Sequence, residues 1–156
     1  MTYLEFIKKN IRFLSFGFLL MFFSSFGQTF FISLFNNEIR EAFELTHGQY
    51  GSIYSIATFL SGLVIIWFGK FIDNIDLRNF VSIISFGLIF GIIILCSSNS
   101  IIFLFIAIFL LRLFGQGLMP HTSMTSMTRY YSLNRGKAIS ISSLGLPLGE
   151  IALPTI

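Results

Sequence analysis

Ile101-Ile-Phe-Leu-Phe-Ile-Ala-Ile-Phe-Leu-Leu-Arg112-Leu-Phe-Gly115-Gln116-Gly117 decides the fold of this chain. Eleven apolar residues lead to one arginine, and apolar sequence resumes at once. The runs from Phe13 to Asn37, Gly48 to Gly69, Asn79 to Leu111 and Leu113 to Thr128 contain no Asp, Glu, Lys or Arg. The composition is 54% hydrophobic and 11% charged, against roughly 25% charged in a soluble domain. Such a chain cannot build a water-facing surface, so the reading is an integral membrane protein. In lipid the backbone must satisfy its own hydrogen bonds, which leaves helices or closed barrels. Barrel strands would alternate apolar and polar residues. These runs are continuous, so the fold class is all-α integral membrane.

Working outward from that stretch gives about five transmembrane helices, near 13–35, 48–68, 79–95, 101–127 and 138–156. A helix rises 1.5 Å per residue, and about 20 residues cross a hydrocarbon core of about 30 Å. The first run is too long for the apolar region of a cleaved signal peptide and ends in Phe35-Asn-Asn-Glu38. The polar link that follows contains a segment from Asn37 to Phe43 able to form a short surface helix. Ser97-Ser98-Asn99-Ser100 favours a turn between the third and fourth helices. Pro120 is expected to kink the fourth.

The net charge of +3 comes from basic residues in the links. Lys8, Lys9, Arg12, Lys70, Arg78, Arg129, Arg135 and Lys137 fall on one side of the membrane, and Arg40 alone falls on the other. By the positive-inside rule the N-terminus is cytoplasmic. The expected location is the cell's inner (plasma) membrane, multi-pass. The basic excess is a topology signal, and no nucleic-acid partner is expected. The single Cys96 rules out an internal disulfide. The sequence has no metal-ligand spacing, no Ser/His/Asp constellation and no phosphate-binding glycine loop. No cofactor, metal or enzymatic activity is therefore expected.

Arg112 falls near mid-membrane, where a cation facing lipid costs about 2.5 kcal/mol or more. It must face a polar cavity or a partner. Two readings stay open: a site for a substrate anion or proton coupling, or an arginine that holds neighbouring helices through their carbonyls. Glu150 also falls near mid-membrane, in the fifth helix. A carboxylate there pairs with a cation or holds a proton. The expected pair is Arg112–Glu150, as a static bridge or as one exchanged for solute or proton. Gln28 and Thr29 could line a cavity or bond across to neighbouring helices. His121 could relay protons or make a helix–helix hydrogen bond. Gly87 and Gly91 form a packing face on the third helix, and Gly145 and Gly149 another on the fifth.

Several of these stretches together resemble the major facilitator superfamily. Gly69-Lys-Phe-Ile-Asp73-Asn-Ile-Asp76-Leu-Arg78 is similar to its cytoplasmic 2–3 loop, G-x-x-x-D-(R/K)-x-G-(R/K)-(R/K). Gly69, Asp73 and Arg78 match, whereas Asn74, Asp76 and Leu77 depart from it. Arg112 followed by Gly115-Gln116-Gly117 resembles the superfamily's fourth helix. Arg135-Gly-Lys137-Ala resembles its 4–5 loop. Gly145, Pro147 and Gly149 resemble the glycine/proline face of its fifth helix, with the proline displaced and Glu150 without a counterpart.

The resemblance implies about half of a two-bundle carrier: five helices of an N-terminal six-helix half, with substrate at the midplane between two halves that rock. Gly69, Asp73 and Arg78 would form a conformational gate. The implied function is secondary active transport of a small solute, with a proton-coupled organic anion suggested by Arg112. The expected partners are that solute, protons, the lipid bilayer and the C-terminal half of the same protein, which a truncated chain would lack. The alternatives are a small non-transporting membrane subunit or anchor packed against a partner complex, and a membrane enzyme acting on the 4–5 loop.

Overall fold

A computed structural model describes residues 2–155. Among them, five helices are long and apolar enough to cross a membrane: Tyr3–Ser33, His47–Asp73, Leu77–Ser97, Ile101–Tyr130 and Arg135–Thr155. These are spans 1 to 5. A short helix, Asn36–Ala42, follows span 1 as the polar link suggested.

Span 1 starts at Tyr3, ten residues before the expected Phe13. The reason is local. The Thr2 hydroxyl accepts the Glu5 N–H, and the Thr2 N–H donates to the Glu5 carboxylate at 2.9 Å. That reciprocal cap satisfies two orphan donors. The charged first turns carrying Lys8, Lys9 and Arg12 thereby become helix. At Asn10 the backbone leaves helical geometry, and the Asn10 amide donates to the Phe6 carbonyl at 2.9 Å. Span 2 opens with the same type of cap, Thr46 with Gln49.

Two spans leave α-helical geometry within their length: span 1, expected to be continuous, and span 4, expected to kink at Pro120. Span 1 tightens into a 3₁₀ turn at Ser24–Gly27, and Gln28 is extended (φ −77°, ψ 153°). A second helical segment, Thr29–Ser33, completes the span. In span 4, Leu111–Leu118 is a π-helix, and the Met119 N–H reaches back five residues to the Phe114 carbonyl. Pro120 supplies the cause. It lacks an N–H, and in an α-helix its ring would strike the carbonyl of Gln116, four residues back. A wider turn carries the chain past that clash. Such wide turns are rare and cluster at functional sites.

Lipid tails are as apolar as leucine, so burial of hydrocarbon does not drive these helices together. Close packing of small residues does. The two breaks meet at mid-span, where Gly27 lies against Gly115. A Cβ on Gly27 would collide with the Leu111 carbonyl oxygen and the Gln116 nitrogen. Span 5 packs on span 1 through its own small face. A Cβ on Gly145 would strike the Phe18 carbonyl, and one on Gly149 the Ser25 hydroxyl. Gly87 lies under the Phe114 ring and Gly91 against Leu110, so both face span 4. Gly117 faces the Ile65 side chain of span 2. Ile84, Leu88, Leu111, Leu113 and Leu118 are buried in the centre of the bundle. Phe59, Trp67, Phe86, Phe90 and Ile102 stay exposed on its outside.

Candidate functional site

Arg112 lies eleven positions into span 4, about 16 Å from its start. Only 6% of its surface is exposed. Three neutral oxygens from two other spans hold it. Nε donates to the Thr58 hydroxyl of span 2 at 3.1 Å. Nη1 donates to the Gly27 carbonyl at 3.2 Å and to the Thr29 hydroxyl at 3.1 Å, both on span 1. The guanidinium sits 5.2 Å from the centre of the Tyr54 ring, within range of a cation–π attraction. The Tyr54 hydroxyl is 3.0 Å from the Thr29 hydroxyl.

The break in span 1 makes this possible. The chain turns to extended geometry at Gln28, so the ladder that would occupy the Gly27 carbonyl is interrupted. That carbonyl is left to accept from Arg112. Irregular backbone at membrane depth is tolerated where protein or a polar cavity surrounds it. Thr29, just past the break, is exposed. The arginine is therefore enclosed by protein on most sides, and the cluster opens at Thr29.

The expected Arg112–Glu150 bridge is not formed. Glu150 is exposed and makes no ion pair among the described residues. The geometry of span 5 explains this. Gly145 and Gly149, four residues apart, turn one helix face onto span 1. The next residue points about 100° away from that face, which carries Glu150 out of the bundle. Pro147 is exposed beside it. Gln28 is partly buried at the break itself. Its backbone carbonyl accepts the Ile32 N–H at 3.2 Å and restarts the helix. His121 is not at the arginine cluster. It is nine residues further along span 4, and its ring lies against Gly69 at the end of span 2.

At that end the loop residues meet span 4. Asp73 and Arg129 form a salt bridge, with both side chains about half-exposed. A shallow cavity of about 340 Å³ beside them is lined by Gly69, Lys70, Asp73, His121, Thr125 and Arg129. Asp73 thus has a basic partner, on the next helix hairpin. Arg78 stands apart, exposed at the start of span 3.

Tyr54 and Thr58 went unremarked as site residues in the sequence. Their signal is weak: two polar residues four apart share one face, but Ser52, Ser55 and Ser61 on the same helix are polar too, and only the face with Tyr54 and Thr58 meets Arg112.

The family model described as Major Facilitator Superfamily matches residues 17–156. The chain belongs to the major facilitator superfamily. A search of curated proteins and one of solved structures each found no significant match. As a superfamily chain it is a membrane transporter of all-α fold. The matched region takes in both helix breaks, the Arg112 cluster, the Asp73–Arg129 pair and the small face of span 5.

Proposed function

We propose that this chain forms one wall of the solute pathway of a secondary active transporter, and that Arg112 is the charge the solute meets at mid-membrane. The observation that carries the reading is the enclosure of Arg112 by neutral oxygens, two from the broken span 1 and one from span 2. A buried cation without a carboxylate partner is expensive to keep, and residues of this kind mark substrate or ion pathways. Discontinuous helices with exposed backbone carbonyls are a recurrent way to build such sites near the midplane. Charge complementarity favours an organic anion as the solute. Glu150, outside the arginine cluster, is the candidate for proton coupling.

The remaining wall is a second helical bundle, the C-terminal half in this reading. The Asp73–Arg129 pair would latch one end of the pathway, and rocking of the two halves would break it. The basic bias of the links puts that end, and the N-terminus, in the cytoplasm of a cell whose inner membrane carries the protein.

The test is uptake by the full-length protein in proteoliposomes. Arg112→Ala should abolish uptake while the protein still inserts and purifies as a folded species. Arg112→Lys should restore only part of it, because lysine cannot reproduce the planar fork of donors. Undiminished uptake by a folded Arg112→Ala protein would remove Arg112 from the pathway.

A further inference from the structure

A count of donors and acceptors around Arg112 goes one step beyond a general site for an anion, and it rests on the transport reading of the same cluster. A hydroxyl has one proton and two lone pairs, and a guanidinium has five protons and no acceptor. Arg112 uses Nε on Thr58 and Nη1 on Gly27 and Thr29. Its Nη2 makes no hydrogen bond among the described residues. The Thr29 hydroxyl must accept from Nη1, because the arginine can only donate. It also shares a hydrogen bond with the Tyr54 hydroxyl. That bond uses one of the two hydroxyl protons. If Tyr54 donates, the Thr29 proton is left over. If Thr29 donates, the Tyr54 proton is left over. Either way the pair keeps one O–H to offer.

The cluster therefore presents donors from two directions, Nη2–H and one O–H, and it opens where Thr29 is exposed. No carboxylate competes for them among the described residues. We propose that the Thr29–Tyr54 hydroxyl pair is a specificity-determining element that, together with Arg112 Nη2, binds the carboxylate of the transported solute. One carboxylate oxygen takes the guanidinium N–H and the other takes the spare hydroxyl proton. A neutral amide places an N–H where the second oxygen would be. The hydroxyl pair can turn a lone pair to that N–H, but the amide is uncharged and forgoes the charge-assisted bond to the guanidinium, which is about twice as strong as a neutral one. The carboxylate is therefore the preferred ligand, by the charge it brings to Arg112.

The experiment measures thermal unfolding of the purified full-length protein in detergent. Sodium acetate and sodium benzoate are titrated against acetamide and benzamide, with ionic strength matched by sodium chloride. The carboxylates should raise the melting temperature in a saturable way, and the amides should not. Thr29→Val and Tyr54→Phe each leave one hydroxyl, so each should weaken carboxylate binding only a few-fold. The double variant removes both, and binding should fall by about tenfold or more, as loss of a hydrogen bond to a charged group implies. A purely structural role would make the two losses independent, not synergistic. Three results each overturn the proposal: amides that bind as well as carboxylates, inorganic phosphate stabilising while no carboxylate does, and a double variant that binds like the original protein. Failure here is separable from failure of the transport reading. Carboxylate binding through the pair, with uptake indifferent to Arg112→Ala, would sink transport through this site and leave the binding site intact. Uptake that needs Arg112, with no preference for carboxylate over amide, would do the reverse.

Discussion

The guanidinium of Arg112 on span 4 is hydrogen-bonded to the carbonyl of Gly27 on span 1, at 3.2 Å. Each residue is where it is because its helix is irregular there. Span 1 has left the α-helical ladder by Gln28, which frees the carbonyl. Span 4 widens into a π-helix that begins at Leu111, one residue before the arginine. The two irregular turns pack glycine on glycine, Gly27 on Gly115. Packing and chemistry thus depend on the same contact.

Gly27→Ala should be costly for that reason. The added methyl would meet backbone atoms of Leu111, Gly115 and Gln116, which cannot swing aside. Overpacking of this kind costs about 1–3 kcal/mol. The expected result is a lower melting temperature in detergent and reduced uptake. Gly48→Ala is the control, since nothing lies within 4 Å of the added carbon.

Thr58→Val removes the acceptor for Arg112 Nε and leaves a buried charged donor unpaired. The expected loss of stability is about 1–3 kcal/mol. Thr58→Ser keeps the oxygen and should recover most of it. Thermal unfolding of the two variants side by side checks the claim; a Thr58→Val protein as stable as the original, or a Thr58→Ser protein that loses as much as Thr58→Val, would contradict it.

Asp73→Asn breaks the pair with Arg129. Both side chains are about half-exposed, and such pairs are worth roughly 0–1 kcal/mol, so the melting temperature should hardly move. Uptake should change if the pair latches one end of the pathway. The exchange Asp73→Arg with Arg129→Asp should then restore part of the rate. A rate unaffected by Asp73→Asn would reduce the pair to a surface contact.

Glu150→Gln should leave insertion and melting temperature intact, because Glu150 has no ion-pair partner among the described residues. If Glu150 carries the coupling proton, the substitution should flatten the pH dependence of uptake. Unchanged pH dependence would assign coupling elsewhere.

Much of this architecture was legible in the residues. The long apolar runs located five spans because only helices accommodate continuous apolar sequence in lipid, and Ser97–Ser100 marked a hairpin. The glycine pairs on spans 3 and 5 sit at contacts, as four-residue spacing on one face suggests. What escaped was the shape of the backbone inside the spans. An apolar run looks the same whether its helix is continuous or broken, so neither the extended Gln28 nor the full π-turn before Pro120 could be placed. The partners of Arg112 escaped for a related reason. A count of charges left Glu150 as its counter-ion, whereas the structure satisfies the arginine with the hydroxyls of Thr29 and Thr58 and the Gly27 carbonyl. Neutral oxygens do not show in a charge count. The early start of span 1 was hidden by Lys8, Lys9 and Arg12, which read as basic residues flanking the membrane until the Thr2–Glu5 cap makes them helix.

The central claim is that water and protein, not acyl chains, surround the open side of the Arg112 cluster. Cysteine access tests it most directly. In the Cys96→Ser background of the full-length protein, Thr29→Cys and Phe86→Cys are each treated in native membranes with a water-soluble maleimide. Phe86 is 72% exposed on the outside of the bundle and should face lipid, where a thiol does not ionise and reacts poorly. The account predicts rapid labelling of Thr29→Cys, slowed when a carboxylate solute is bound, and little labelling of Phe86→Cys. An inert Thr29→Cys beside an equally inert Phe86→Cys would place the threonine in lipid and contradict the account.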